Sequence, residues 1–148
     1  MKKKHCIIVL TMLLAGLLLF TQCGSMRIPY RRLPGEAKTF ITAYFPTRKC
    51  IYAEQDRDDG RKEYKVKLND GTEIEFYATG DWKKVDCKYA FLPLGILPET
   101  LVADLDTRCP GMRVYKAKRE YGGYKISIGN GPDMIYAADG TFIRNEFD

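Results

Sequence analysis

The sequence predicts an α+β fold, in which two tandem copies of one helix and four strands form a single extended antiparallel sheet with the helices on one face. Residues 64–82 (YKVKLNDGTEIEFYATGDW) contain two alternating, strand-like runs, each followed by a glycine turn. A degenerate copy, YKISIGNGPDMIYAADGTF, occupies residues 124–142. A Leu-Pro pair also precedes an amphipathic stretch in each half, at Leu33 and at Leu97. Such an internal repeat indicates two copies of one structural unit.

The N-terminal residues predict export from the cytoplasm. Three lysines at positions 2–4 precede an apolar run over residues 7–20. That run is shorter than the roughly 20 residues of a membrane-spanning helix and has the length of a signal-peptide core. Cys23 follows directly, where a lipoprotein signal places the cysteine that becomes lipidated. We expect residues 1–22 to be a signal peptide and Cys23 to be the lipidation site. The alternative is ordinary cleavage near Gly24 or Ser25.

Charge and export together limit the classes of partner. The formal net charge is +5, and the signal segment supplies three of its lysines. No basic run with interleaved aromatic residues occurs, so nucleic acid is not an expected partner. The expected location is the periplasm or, for a lipoprotein, the outer membrane, with membrane contact only through an anchor on Cys23.

The first repeat is predicted to cover residues 33–87, after a flexible tether over residues 23–32. Its helix begins after Leu33 and ends before Pro46, which cannot continue a helix. The apolar stripe of that helix recurs at helical spacing and consists of Ala37, Phe40, Ile41, Tyr44 and Phe45. The four strands are expected at residues 49–56, 64–68, 74–78 and 82–87, with a charged loop at 57–61.

The second repeat is predicted to cover residues 97–148, after a linker over residues 88–96 (KYAFLPLGI). Leu101 and Leu105 form the stripe of its helix. Leu33 and Leu97 are 64 positions apart, whereas Gly71 and Gly131 are 60 apart. We assign the difference to the first hairpin loop, which would shorten to residues 121–123.

The turn after residue 68 is predicted to have three residues. Directly opposite side chains in a strand pair share a face of the sheet. A loop over residues 69–71 pairs Val66 with Ile74 and Tyr64 with Phe76, which keeps carboxylates out of the core. Gly71 would occupy the left-handed position of this loop. In the second repeat Gly131 would do the same.

The turn at Thr79-Gly80 is predicted to have two residues. That length places Trp82 opposite Tyr77, on the face away from the helices. A three-residue turn is rejected, because it would set Lys84 and Asp86 against the core. By the same argument Phe142 lies on this open face in the second repeat, and Lys83 falls on the core side.

Four aromatic residues are therefore the predicted binding site: Tyr52, Tyr77, Trp82 and Phe142. Exposed Trp and Tyr side chains on a polar surface are typical anchors of protein interfaces. The alternative for Trp82 is that it folds over the edge of the sheet or caps a neighbouring helix. The charged residues around these aromatics are interpreted as a solvated set of cross-strand pairs.

The cysteines allow at most one disulfide within the folded part. Cys50, Cys87 and Cys109 follow the signal region, and an exported protein can hold a disulfide. Cys87 and Cys109 flank the linker and are the favoured pair. The alternative is that all three are small buried side chains.

The sequence predicts no enzyme, cofactor or metal site. The single histidine, His5, lies in the signal segment, and Ser127 is the only serine after Ser25. Histidine-dependent catalysis and histidine metal sites are therefore excluded. Asp56, Asp58 and Asp59 lack the spacing and the terminal glutamate of a calcium loop.

The segments LPGEAKTFITAYFP and LNDGTEIEFYATGDW carry a family resemblance, which extends over about residues 33–143. The chain resembles the PepSY-like, beta-lactamase-inhibitor-like exported proteins of gut Bacteroidetes. The resemblance implies tandem repeats in one antiparallel sheet, with the helices on the convex side and an open concave side. The beta-lactamase inhibitor protein itself binds enzymes on such a face. Its disulfides and inserted loop have no match here, so no inhibitory residues are carried over.

The expected function is a non-enzymatic exported binding module that presents the open face to an unknown protein or peptide of the cell envelope. The alternative is a small-ligand or lipid sensor held at the membrane by Cys23, which requires an enclosed apolar pocket between helices and sheet. An enzyme would require a cleft of buried carboxylates, for which Asp104 and Asp106 are the candidates.

Overall fold

The computed structural model describes residues 24–147 and contains, within them, one nine-stranded antiparallel sheet in which each strand pairs with the next along the chain. The strands are β1 Met26–Ile28, β2 Cys50–Asp58, β3 Arg61–Leu68, β4 Glu73–Tyr77, β5 Trp82–Asp86, β6 Val114–Glu120, β7 Gly123–Ile128, β8 Asp133–Ala137 and β9 Phe142–Glu146; the helices are α1 Gly35–Tyr44 and α2 Glu99–Arg108. The order α1-β2-β3-β4-β5 recurs as α2-β6-β7-β8-β9. The predicted fold class is confirmed.

Both helices pack on the same face of the sheet. In the first repeat the ring of Phe40 in α1 meets Phe76 edge-on at 5.7 Å. In the second repeat Tyr136 donates a hydrogen bond to Asp104 of α2. The space between helices and sheet is filled by fully buried side chains, namely Ala37, Val66, Leu68, Ile74, Phe76, Val85, Leu101, Ala117 and Ile126. One apolar core therefore runs through both repeats.

The predicted signal peptide and Cys23 lie outside the described residues and stay predictions. Neither α1 nor α2, within residues 24–147, has the length and apolarity needed to span a membrane. The predicted flexible tether over residues 23–32 is wrong from Met26 onward. Residues Met26–Ile28 form an edge strand on β2, and Ile28 is buried opposite Ala53. A three-residue strand is too short to produce a recognisable period in the sequence.

The first hairpin turn has two residues in both repeats. Asp59 and Gly60 join β2 to β3, and Tyr121 and Gly122 join β6 to β7. All four residues have positive φ, between 48° and 76°, as a type I′ turn requires. The predicted loop over residues 57–61, and its shortening in the second repeat, are therefore wrong. The missing residues come from the strands, since β2 and β3 have 9 and 8 residues whereas β6 and β7 have 7 and 6.

The three-residue turn between β3 and β4 is confirmed. Val66 pairs with Ile74, Tyr64 pairs with Phe76, and Gly71 has a φ of +91°. The pairing in the second repeat is also as predicted, with Ile126 opposite Met134. There, however, the glycine with positive φ is Gly129 and not Gly131.

The turn between β4 and β5 corrects the predicted register. It has three residues, because the Tyr77 amide donates to the Asp81 carbonyl at 2.9 Å and Gly80 has a φ of +95°. A β-bulge then follows, so that Trp82 pairs with Phe76 while Lys84 pairs with Glu75. Because the bulge returns Lys84 to the open face, a three-residue turn does not set Lys84 against the core. The second repeat has the same shift, with Phe142 opposite Tyr136.

The prediction that Trp82 and Phe142 lie on the open face is therefore wrong. Trp82 is 5% exposed, stacks on Tyr124 at 6.1 Å and lies 6.4 Å from Phe40 of α1. Phe142 is half-buried and meets Tyr136 edge-on at 5.5 Å. Both aromatic rings belong to the helix-covered side of the sheet.

Candidate functional site: the open face of the sheet

The open face is the side of the sheet opposite the two helices. One row of directly paired residues crosses it through all nine strands and contains Arg27, Glu54, Lys65, Glu75, Lys84, Lys118, Lys125, Ile135 and Arg144. In the first repeat, from β1 to β5, positive and negative charges alternate along this row. From β5 to β7 three lysines follow one another. The two halves of the open face thus differ in charge.

The alternation in the first repeat allows cross-strand ion pairs. The Glu75 carboxylate accepts a hydrogen bond from the Lys84 ammonium at 3.2 Å. The Glu73 carboxylate lies 3.4 Å from the ammonium groups of both Lys67 and Lys88. Burial by itself would raise the pKa of Glu73, but these two cations together hold the pKa below its usual value. Partly exposed ion pairs near a protein surface contribute about 0–1 kcal/mol each, so these pairs add little to stability.

Lys83 lies on the open face, and the prediction that it falls on the core side is wrong. The β-bulge turns its side chain toward β3 and β2, where the ammonium lies 2.7 Å from Glu63 and 3.1 Å from Asp58. Burial by itself would lower the pKa of Lys83, but the two carboxylates raise it above the usual value. Asp58, from the acidic stretch at residues 56–59, is therefore paired with an ammonium group.

The centre of the open face carries a lysine cluster, which we define as Lys84, Lys116, Lys118 and Lys125. Lys84 is directly opposite Lys118, which is directly opposite Lys125 on its other side. These four side chains line a depression of about 360 Å³ at the junction of the two repeats, together with Asp58, Glu75, Lys83 and Glu120. Like charges in directly opposite positions destabilise a sheet, so this is the least self-complementary part of the face.

Within the described residues, carboxylates pair with some members of the lysine cluster but not with all of them. Lys118 pairs with Glu120 at 3.2 Å. Lys125 pairs with Glu146 at 2.8 Å and Asp133 at 3.2 Å, and its hydrogen bond with Glu146 is the main reason that its pKa is raised. Lys116 makes no ion pair with any residue in the range 24–147.

Two of the four predicted binding aromatics lie on the open face. Tyr52 is half-buried on β2, and the Arg27 guanidinium covers its ring at 4.7 Å. Tyr77 ends β4 opposite Glu63 and lines a cleft of about 460 Å³ together with Tyr121 and Tyr124. The structure does not bring these two tyrosines together with Trp82 and Phe142.

Sequence reasoning missed the exposed side chains of the linker. Tyr89 is 94% exposed, Leu94 is 85% exposed and Phe91 is 52% exposed. We call these three residues the apolar linker. The Tyr89 ring packs beside Gly71, and the preceding Lys88 pairs with Glu73 of the open face, so the apolar linker begins at the rim of that face. The run of large apolar residues in KYAFLPLGI is the signal in the sequence that points to these side chains.

The predicted disulfide between Cys87 and Cys109 does not form, and Cys50, Cys87 and Cys109 are free thiols. Cys87 follows β5 and is 1% exposed beside Thr72 of the β3–β4 turn. Cys109 caps the far end of α2. Burial raises the pKa of Cys87 to about 11 and also raises the pKa of Cys50.

We expect Cys87 not to react with a disulfide-exchange reagent such as Ellman's reagent at pH 8 in the native protein, because its thiol is buried and its pKa of about 11 leaves little thiolate. Cys109 should react first. In urea all three thiols should react at similar rates. Two thiols missing from the count in urea without reductant would reinstate a disulfide.

The carboxylates of α2 do not form a catalytic cleft. Asp104 accepts hydrogen bonds from Arg108 at 2.6 Å and from Tyr136 at 3.0 Å. The bond with Arg108, followed by that with Tyr136, holds the pKa of Asp104 below its usual value, so the group stays ionised. Asp106 is exposed to solvent. Within residues 24–147 no group of three metal-ligating side chains occurs.

Three solved structures with this architecture come from Bacteroides. A putative periplasmic protein of the DUF2874 family from Bacteroides vulgatus is 27% identical, with a TM-score of 0.79, over 85% of this chain and 99% of its own. A putative calcium-regulated periplasmic protein from Bacteroides thetaiotaomicron is 26% identical, with a TM-score of 0.78, over 83% of this chain and 97% of its own. A second Bacteroides vulgatus protein, a putative periplasmic protein of unknown function, is 28% identical, with a TM-score of 0.78, over 82% of this chain and 98% of its own.

The sequence itself matches one family model, described as putative beta-lactamase-inhibitor-like, PepSY-like, over residues 19–69 and 62–144. No curated protein is detectably similar in sequence. The first matched stretch ends just after β3, whereas the second begins within β3 and runs into β9, so that together they span most of the chain. The chain therefore belongs to the putative beta-lactamase-inhibitor-like, PepSY-like family.

Proposed function

We propose that the protein is a non-enzymatic, exported binding module that presents the open face of its sheet to a protein or peptide of the cell envelope. One observation carries the proposal. Both helices pack on the opposite side, and no helix or strand of residues 24–147 covers the open face of the nine strands. The similar solved structures are described as putative periplasmic proteins, which supports an envelope partner. Export through residues 1–22 and anchoring through Cys23 rest on the sequence pattern alone.

The apolar linker supplies the anchors that Trp82 and Phe142 do not provide. Large exposed apolar side chains next to a polar surface mark interaction sites, and buried aromatics dominate the energy of many interfaces. Because Lys88 connects the apolar linker to Glu73, a partner on the open face would meet Tyr89 at its edge. The same partner would contact Tyr77 at the other end of β4.

The arrangement does not favour a lipid sensor or calcium regulation. A lipid sensor requires an enclosed pocket between helices and sheet. Fully buried side chains fill the centre of that space, and the depression of about 530 Å³ between the end of α2 and Met134 and Phe142 of the sheet is open to solvent. One similar structure is of a putative calcium-regulated periplasmic protein. Residues 24–147 contain no group of three His, Cys, Asp or Glu side chains that could hold a metal ion, and Asp58 is paired with Lys83. These residues do not fit a calcium ion.

We expect a photo-reactive amino acid in place of Tyr77 or Tyr89 to form adducts with an envelope protein in intact cells, because both side chains border the open face. The same amino acid in place of Thr39 or Ala103 should form none, since these exposed positions lie on α1 and α2. Mass analysis of the adducts is the measurement. Adducts from the helix positions, or none from any position, would contradict the proposal.

A further inference from the structure

We propose that the partner contributes an acidic, extended peptide segment that binds over the lysine cluster at the junction of the two repeats. This inference rests on the proposed function and names the chemistry of the ligand. It is carried by the register of three neighbouring strands, β5, β6 and β7, which places Lys84, Lys118 and Lys125 side by side.

Local charge gives the first reason. In the first repeat each cation of the row faces an anion, whereas in the lysine cluster cations face cations. Directly opposed like charges destabilise a strand pair. A bound anion offsets that repulsion, and within residues 24–147 the carboxylates that reach these ammonium groups flank the lysine cluster, as Glu75 and Glu120 do.

Within residues 24–147 no carboxylate pairs with Lys116, so the ammonium group of Lys116 is available to a ligand. Asp86 lies directly opposite Lys116, but its carboxylate accepts a hydrogen bond from Lys88 at 2.9 Å instead. The side chains of Lys84, Lys118 and Lys125 are 23%, 36% and 18% exposed, so their ammonium groups can be reached from solvent. All of them line the depression of about 360 Å³, which is large enough to hold carboxylate side chains.

The spacing favours a peptide over a single small anion. Lys116 and Lys118 are two residues apart on β6 and face the same side, so they are separated by about 6.6–6.8 Å along the strand. Alternate side chains of an extended peptide have the same separation. Asp or Glu at alternate positions would therefore lie over both lysines, while Lys84 lies about 4.8 Å to one side on the neighbouring strand. A free phosphate would contact fewer of these ammonium groups.

The test is fluorescence anisotropy with a labelled ten-residue peptide that alternates glutamate and threonine. We expect it to bind the purified protein at low ionic strength, to weaken as salt rises, and to lose at least tenfold in affinity with the Lys116→Gln, Lys118→Gln double variant. The matched control, Lys65→Gln with Lys67→Gln, removes two lysines of the same face in the first repeat and should bind within twofold of the original protein. A peptide with glutamine in place of glutamate should not bind.

Three results would overturn the acidic ligand. They are no binding by the glutamate peptide at low salt, equal losses in the two double variants, and displacement of the peptide by an equal concentration of inorganic phosphate. Binding of phosphatidylglycerol vesicles, lost in the Lys116→Gln, Lys118→Gln variant while the peptide does not bind, would assign the cluster to a lipid surface instead. If the peptide fails but adducts from Tyr77 and Tyr89 persist, the acidic ligand alone is refuted. If the peptide does not bind and no adducts form from Tyr77 or Tyr89, the proposed function is refuted as well.

Discussion

Replacement of Trp82 by alanine is expected to lower the free energy of unfolding by about 3–5 kcal/mol, the usual cost of truncating a buried tryptophan. The indole is 5% exposed and stacks on Tyr124 of the second repeat. The Arg119 guanidinium covers the ring at 4.6 Å. Trp82 therefore joins the two repeats, because it contacts α1 on one side and strands β6 and β7 on the other.

Urea unfolding followed by circular dichroism is the measurement. Tyr89→Ala is the control, because Tyr89 is also a large aromatic residue but is 94% exposed. We expect its effect to stay within about 0.5 kcal/mol, as for most surface substitutions. If Trp82→Ala unfolds at the same urea concentration as the original protein, the bulge in β5 is absent and Trp82 lies on the open face.

The β-bulge explains why the register argument failed for Trp82 but succeeded one turn earlier. Between β3 and β4 the alternation of apolar and polar residues is unbroken, so the pairing of Val66 with Ile74 follows from the pattern alone. In β5 two lysines, Lys83 and Lys84, stand together between Trp82 and Val85. Two adjacent polar residues between apolar ones were the available signal, since a bulge turns consecutive side chains to the same face.

The two-residue turn of the first hairpin could have been predicted from the spacing between equivalent positions in the two repeats. Asp59-Gly60 and Tyr121-Gly122 are 62 positions apart, midway between the 64 and 60 of the flanking matches. A deletion within the loop would not give this intermediate spacing. Removal of two residues from each of the two strands that flank the turn gives this spacing. The strand lengths agree, since β6 and β7 are each two residues shorter than β2 and β3.

The lysine cluster could not have been predicted from the sequence. Its central contact, Lys84 opposite Lys118, depends on the pairing of β5 with β6 across the two repeats. The linker over residues 88–96 and all of α2 separate those strands in the chain, so no turn length fixes their register. Only the three-dimensional path of this connection brings the lysines of both repeats together.

Replacement of Gly80 or Gly140 is also expected to lower the stability strongly. Each glycine lies where the last hairpin turn of a repeat meets the first turn of its helix. A Cβ atom on Gly80 would lie 2.8 Å from the Pro34 side chain and 3.0 Å from the Ala37 amide nitrogen. A Cβ atom on Gly140 would overlap the Thr100 hydroxyl and lie 2.7 Å from the Leu101 amide nitrogen. Helix and sheet are therefore in direct backbone contact at equivalent places in both repeats.

Gly80→Ala and Gly140→Ala are each expected to cost about 2–5 kcal/mol, the sum of about 1–2 kcal/mol for a left-handed alanine and about 1–3 kcal/mol for overpacking. Gly60→Ala and Gly122→Ala are the matched controls. Their φ values of +76° and +73° impose the same backbone cost, but no atom lies within 4 Å of the added methyl group. Urea unfolding of the four variants separates the two contributions.

Gly140→Ala should be the more damaging of the pair, for two reasons that concern its neighbours. The Leu101 backbone is closer to the added methyl group than the Ala37 backbone is at Gly80. The Thr100 hydroxyl also donates a hydrogen bond to the Asp139 carbonyl at 2.8 Å, which the methyl group would break. If all four glycine variants lost the same stability, the packing of helix against turn would contribute nothing, and backbone conformation alone would explain these glycines.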